Sequence, residues 1–325
     1  MGYSVTEISD IVFNAIEGRT EIVAALLMGS CARHEETYFT NQNGVRELLS
    51  DYEMLLITKD GYSTSECDRT LRELADKLKM ASSSPCFELE WSFKTKAQIR
   101  RLDKRFIFFE AKDSAYLIYG EQNAIELFPD ITISNLNFSE LNTVINHRLY
   151  HVLRDSLKGD EHFQKYLIAR NTLDIPTAVL PLVGVLKSSY SARNQAFFEA
   201  VDMREFPAGL KERLNDCLEM KKNYDSEVYE RRSLPEMQSC FLQDMKALYA
   251  FQSKSQGGKA FRKNRRLFLS AIYQRSRQIA RQYFNWENLN QSLYSDMIQI
   301  LENGQYNEND MNRITNRMFE LYGYK

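Results

Sequence analysis

The run IVAALLM, residues 22–28, ends abruptly at Gly29-Ser30 and is followed at once by the charged stretch CARHEE. Seven consecutive apolar residues read as a buried strand, so whatever forms around them must bury a sheet. A strand that stops at Gly-Ser and opens a helix also leaves unpaired backbone N–H groups at its end. Those groups suit a phosphate, although the same letters can make an ordinary turn. The acids further along the chain decide between the two.

At 325 residues and 43% hydrophobic content, the chain is long enough for two domains or one large one. No run approaches the roughly 18 apolar residues of a membrane span, and the polar start MGYSVTEISD lacks a signal-peptide core. The expectation is a cytoplasmic protein without a membrane segment. Cys31, Cys67, Cys86, Cys217 and Cys240 are scattered and show no CxxC spacing, which argues against a disulfide framework and a zinc site. The net charge of −2 excludes little, but Lys254 to Arg281 holds nine Lys or Arg and no Asp or Glu.

The two halves differ in texture. Ser4 and Glu7 have capping-box spacing, and Ile8, Ile11, Val12, Ala15 and Ile16 follow at helical intervals until Gly18. Strands are expected at Ile22–Met28, Tyr52–Ile57 and Phe87–Phe93, with a helix carrying Leu71, Leu74, Ala75 and Leu78 between the last two. Beyond about residue 138 the strand signal fades, and Leu141, Val144, Ile145, Leu149, Val152 and Leu153 form a helical stripe. The expected fold class is α+β: a sheet domain over residues 1–130, then an all-helical domain over 138–325. Pro176 and Pro181 must start, kink or break helices in the second half. SKSQGG, residues 253–258, reads as its flexible break.

Asp51 and Glu53 stand at i and i+2 at the head of an apolar strand, so they share a face. Two adjacent carboxylates repel unless a cation lies between them. Mg²⁺ takes such oxygen ligands, commonly one or two carboxylates plus substrate phosphates. In FELEWSF the same period of two puts Glu88, Glu90 and Ser92 on one face. A third acid is therefore available. The sequence does not separate Glu88 from Glu90, although Glu88 lies nearer the strand start, as Asp51 does.

Taken in order, Gly29-Ser30-Cys31-Ala32-Arg33-His34-Glu35 and Ser50-Asp51-Tyr52-Glu53 resemble the polymerase-β-like nucleotidyltransferase superfamily. Its pattern is a Gly-Ser turn, often GSxARGE, followed by SD-x-[DE] on the next strand. The resemblance covers roughly residues 20–125, including DSAYLIYG, whose run ending at Gly120 is similar to the strand that closes the domain in relatives. It implies a small mixed sheet with helices and an enzyme that moves a nucleoside monophosphate from an NTP, ATP first among them, to a hydroxyl acceptor. It implies two Mg²⁺ ions as cofactor, with Asp51, Glu53 and Glu88 as metal ligands and Glu88 or Glu90 as the third catalytic acid. Gly29, Ser30 and Arg33 would bind the nucleotide, joined from the helical half by Lys187, Ser188 and Tyr190, with Arg170 as a further cation. The helical half would then close the nucleotide cleft and carry the acceptor or partner surface.

The chain departs from the pattern in three places: Glu53 replaces the commoner Asp, His34 stands where relatives usually have Gly, and the 14 residues from Glu36 to Leu49 make a long connection. The alternative to the enzyme is accordingly a catalytically inactive nucleotide- or polyanion-binding regulatory protein on the same fold. The acceptor is unidentified: small molecule, nucleotide, RNA and protein all fit. His147 and His151 have the i, i+4 spacing of a metal pair, but no placed carboxylate or cysteine completes it. The basic tract Lys254–Arg281 reads as a polyanion surface or, more commonly for such a run, as the solvated face of a helix.

Overall fold

The structure, a computed structural model, describes residues 3–84, 87–137, 139–155, 160–256, 292–302 and 308–322. It divides into two compact units. One comprises Met1–Phe138, Leu186–Arg193 and Leu218–Val228; the other comprises Ser139–Val185, Asn194–Cys217 and Tyr229–Lys325.

In chain order the first unit contains α1 (Val5–Ile16), β1 (Ile22–Met28), α2 (Gly29–Ala32), β2 (Tyr38–Thr40), β3 (Arg46–Leu48), β4 (Tyr52–Thr58), α3 (Ser65–Ala81), β5 (Leu89–Thr95), α4 (Lys96–Arg100), α5 (Phe106–Ser114) and β6 (Tyr116–Gly120). Four strands make a mixed sheet in the order β5-β4-β1-β6. β1 runs antiparallel to both β4 and β6, while β5 lies parallel to β4. A parallel pair needs a crossover, and α3 supplies it. α1 begins where its capping box predicts: the Ser4 hydroxyl accepts from Glu7 N at 3.2 Å and the Glu7 carboxylate accepts from Ser4 N at 2.7 Å.

Both faces of the sheet are covered at its central strands β1 and β4, which explains why β1 has no polar side. On one face Ile8, Val12, Leu71 and Leu78 of α1 and α3 pack with Ala25, Leu27, Met54 and Leu56. On the other, Val23, Leu26, Leu55 and Ile57 pack with Ile99, Ala111 and Phe128. Gly120, at the end of β6, has φ +95°, and a side chain there would overlap the Val23 carbonyl of β1.

Two local expectations need correction. β5 begins at Leu89 rather than Phe87, because the Phe87 amide donates to the Ser84 hydroxyl at 3.1 Å instead of joining the ladder. The long connection before β4 holds a hairpin, β2 paired with β3, which the sequence reading passes over. Its turn is organised by Asn41, whose side-chain oxygen accepts from Asn43 N at 2.9 Å and Val45 N at 3.0 Å.

The second unit is helical, with α6 (Ser139–Asp155), α7 (Glu161–Thr172), α8 (Asp174–Val179) and α11 (Leu234–Gln256) packed on one another. Pro176 sits inside the short α8, and Pro181 lies in a 3-10 turn, Leu180–Val183, that ends at Gly184. Arg213 and Asp244 form its buried ion pair, with Arg213 Nε donating to Asp244 Oδ2 at 2.9 Å. Burial pushes the Asp244 carboxyl up, against the pull of Arg213. The expected break at SKSQGG is not one over its described part. Ser253 to Gln256 complete α11, where the Ser253 hydroxyl donates to Tyr249 O at 2.8 Å; Gly257 and Gly258 lie outside the described residues. Among the described residues no helix is long and apolar enough to cross a membrane.

One buried carboxylate fastens the hairpin to the rest of its unit. Glu47 of β3 is 1% exposed and accepts from Ser83 N at 2.9 Å, the Ser83 hydroxyl at 2.7 Å, the Ser82 hydroxyl at 3.2 Å and the Asn41 amide. Burial alone would raise its pKa, but the bonds from Ser83, Asn41 and Ser82 outweigh it and hold the carboxyl below the usual glutamate value of 4.5. A lowered folded pKa stabilises the fold above the unfolded value and loses that stability as pH falls through the folded value. Glu47→Gln should therefore cost about 1.5–3 kcal/mol near neutral pH. Thermal melts from pH 7 to 3 should show the variant's deficit shrinking as acid protonates Glu47 in the wild type; a constant deficit would contradict this.

Candidate functional site

The sheet register assembles the acids. Met28 of β1 pairs with Glu53 of β4, and Glu53 pairs with Glu90 of β5, so the three stand in one row across three strands. Directly paired residues point to the same side of a sheet. Glu53 and Glu90 therefore share a face at the end of β1 where Gly29 begins the turn. Asp51 immediately precedes β4.

Two features of Gly29 favour glycine in this arrangement. Its φ is +68°, and a Cβ built there would overlap the Glu53 carboxylate, lying 2.9 Å from Cδ. The turn and the acid thus touch across the sheet end. Helix α2, which Gly29 opens, is only four residues long, so its dipole is small. His34, where the resembling family carries Gly, has φ +55°. The backbone keeps the left-handed turn that glycine favours, and histidine is among the residues that tolerate it.

Glu88 lies outside the strand. Its carbonyl accepts from Tyr52 N at 2.8 Å, while its exposed carboxylate pairs with Lys79 of α3 at 3.8 Å. The register thus brings Glu90, rather than Glu88, opposite Glu53. Among the described residues no group of three or more His, Cys, Asp or Glu side chains converges to hold a metal. Two carboxylates with substrate oxygens remain a donor set of the right chemistry for a hard cation. His147 and His151, with ring centroids 5.9 Å apart, belong to no such group.

Arg33 takes a different place from the one expected of a phosphate ligand. Its side chain is 7% exposed, with Nε 3.1 Å from Glu35 Oε2 and a terminal nitrogen 3.6 Å from Glu110 of α5. Glu110 also pairs with Arg193 of α9 (Tyr190–Ala200), and both guanidinium groups lie over the Tyr190 ring, at 5.6 and 5.2 Å. Two arginines and two glutamates make a neutral buried set. Burial, then the charge of Arg33, pushes the Arg193 guanidinium down to about 9, with Glu35 opposing. Arg193 Nε also donates to the Lys187 carbonyl at 2.9 Å, so the structure uses the backbone of Lys187 and leaves its side chain exposed. The Ser188 hydroxyl donates to Asp113. Arg170 lies in the last turn of α7, in the second unit.

Two residues near the acids are not singled out by any motif. Cys31 donates from Sγ to the Asp51 carbonyl at 3.4 Å. Burial, then the nearby Glu36, pushes its thiol up to about 12, which suits a packed donor rather than a nucleophile. Lys221, at the end of α10 (Leu210–Lys222), is 2% exposed and reaches Ser50, next to Asp51. Nothing in its surroundings, LEMKKNYD, marks it in sequence. The four described free cysteines are Cys31, Cys67, Cys217 and Cys240, whereas Cys86 lies outside the described residues. The basic tract beyond Gln256 lies outside them too, while Lys254 pairs with Glu205 at 2.6 Å.

The contrast between two positive-φ positions is testable. Gly29→Ala should destabilise by about 1–3 kcal/mol, and Glu53→Ala in the same chain should recover the part that comes from overlap with the carboxylate. His34→Gly, at an exposed position, should change stability by less than about 1 kcal/mol, because relieved strain offsets added unfolded-state freedom. Urea unfolding measures all three; additive effects of Gly29→Ala and Glu53→Ala would refute the contact. In comparison with known proteins, no family model matches the chain and no curated protein matches it.

Proposed function

We propose that the protein is a Mg²⁺-dependent nucleotidyltransferase, moving a nucleoside monophosphate from an NTP, ATP foremost, to the hydroxyl of an acceptor. The observation that carries this reading is the contact of the Gly29 turn with Glu53, in register with Glu90, because it puts N–H donors and carboxylates at one end of the sheet. In this reading the backbone N–H groups after Gly29 and the Ser30 hydroxyl bind the β and γ phosphates. Asp51 and Glu53 would hold Mg²⁺, and bound there the ion offsets phosphate charge and favours ionisation of an acceptor hydroxyl. Glu90 accepts the acceptor's proton as its oxygen attacks the α-phosphorus. A bond forms between that oxygen and phosphorus, the bond to the bridging oxygen breaks, and pyrophosphate departs. Asp51, immediately before β4, would serve only as a ligand of the ion and does not change covalently.

A second reading, nucleotide binding without turnover, is favoured by a separate observation: the described residues gather no three-acid group, and Arg33 and Tyr190 are committed to the buried ion-pair set. Both readings predict that ATP raises the melting temperature by mass action. They differ in pyrophosphate.

Isothermal titration of ATP with and without Mg²⁺, on the wild type and on Asp51→Asn combined with Glu53→Gln, is the direct test. Mg²⁺ should tighten wild-type binding by about tenfold or more and leave the variant unaffected; equal affinity in all four titrations would remove the metal assignment. Pyrophosphate release from ATP in the presence of a cell extract, abolished by Asp51→Ala, would support the enzyme. Release from neither, with ATP binding intact, would leave the binding protein.

A further inference from the structure

Lys221 is remote in sequence from every motif residue, yet its ammonium is buried among oxygens of the segments that frame the acids. Nζ donates to the Glu35 carbonyl at 2.8 Å, the Thr37 hydroxyl at 2.8 Å and the Ser50 hydroxyl at 3.2 Å. An ammonium has three donors, and these three bonds account for all of them. Glu35 ends the Gly29 turn, since its amide donates to the Ser30 carbonyl at 2.9 Å. Ser50 is the residue before Asp51.

The contact is reciprocated. The Thr37 hydroxyl donates to the Lys221 carbonyl at 2.6 Å, and Thr37 N donates to the Ser50 hydroxyl at 2.8 Å. Leu49 N donates to the Thr37 carbonyl at 2.8 Å. Thr37 and Ser50 are both buried, at 0% and 3% exposure, so these groups have no water to fall back on. Burying an ammonium is costly and is tolerated where its donors are all met. A methionine or leucine would fill the same space without that cost. The backbone bonds from Leu49 N and Ser50 N to the Thr37 carbonyl already continue the hairpin between these segments; what the ammonium adds is three directed bonds, from one atom, that reach Glu35, Thr37 and Ser50 together.

We infer that Lys221 is a positioning residue: it ties the end of the Gly29 turn to the entry of β4, holding the turn's N–H groups and the carboxylates of Asp51 and Glu53 at a fixed spacing before any ligand arrives. The inference rests on the reading of that turn and those acids as one site. Its mechanical part, the tie between two segments, stands apart from that reading and is measured separately.

Two experiments on the full chain test it. Hydrogen exchange without ligand, comparing wild type with Lys221→Met, should show faster exchange in peptides covering 29–37 and 49–53 together, while 22–27 and 54–58 keep their protection. Faster exchange confined to α10, or none, would overturn the tie. In calorimetry with Mg²⁺ and ATP, below the melting temperature of each variant, Lys221→Met should weaken binding by about tenfold. Ser50→Ala should weaken it less, and the double variant should weaken it by less than the product of the two single effects, because the two share the Lys221–Ser50 bond. Unchanged ATP affinity in a folded Lys221→Met with altered exchange would confine Lys221 to a structural role, and effects that multiply would show it acts by another route. Absence of binding in the wild type, with exchange altered as described, would instead remove the nucleotide reading and leave the tie intact.

Discussion

The contact between Glu53 and Gly29 organises everything near the sheet end. A carboxylate occupies the space that any other residue at position 29 would need for its Cβ, and the same position demands a positive φ. Both favour glycine, the positive φ through strain and the carboxylate because it would have to move aside for a Cβ. With both in force, β1 must end where it does, the chain must turn at once, and the acid on β4 must face that turn. The register of β4 with β5 then carries the constraint one strand further, to Glu90.

Behind this surface the unit is held by charge that has been taken out of water. Arg33, Glu35, Glu110 and Arg193 balance to zero, and the Tyr190 ring lies beneath both guanidinium groups. Removing one partner from such a set is costly because the rest keep their desolvation penalty. Glu35 is pivotal, since its side chain meets Arg33 and Ser191 N while its carbonyl meets Lys221. Glu47 plays a comparable part with neutral partners, joining the β2–β3 hairpin to the end of α3 through three donors on Ser82 and Ser83, with Asn41 of the hairpin turn as a fourth. The second unit repeats the principle on its own, with Arg213 and Asp244 buried together.

How much of this was legible in the sequence depends on the range of the forces involved. The strand Ile22–Met28, the cap at Ser4, the stripe of α6 and the Gly-Ser turn are written locally, in hydrophobic period and in residues that only certain dihedrals accept. The expectation that Asp51 and Glu53 share a face comes from the period of two, although Asp51 itself lies just before β4. The hairpin escaped because its strands are three residues each, too short to show alternation. The helical end of α11 escaped because Ser, Lys and Gln are neutral enough for either state, and contacts distant in sequence accompany the helix, with Gln252 donating to the Leu141 carbonyl and Lys254 pairing with Glu205.

Sequence by itself determined the α+β class, the strands β1 and β4 and the turn at Gly29-Ser30, since each depends on residues within a few positions of one another. Only the tertiary structure decided that Glu90 rather than Glu88 faces Glu53, that Arg33 turns inward to Glu110, and that Lys221 reaches Ser50 from 171 residues away. These are choices of register and of partner between distant segments. Local propensity cannot encode them, because the energy that selects them, desolvation balanced by buried ion pairs and directed hydrogen bonds, exists only once the segments have met.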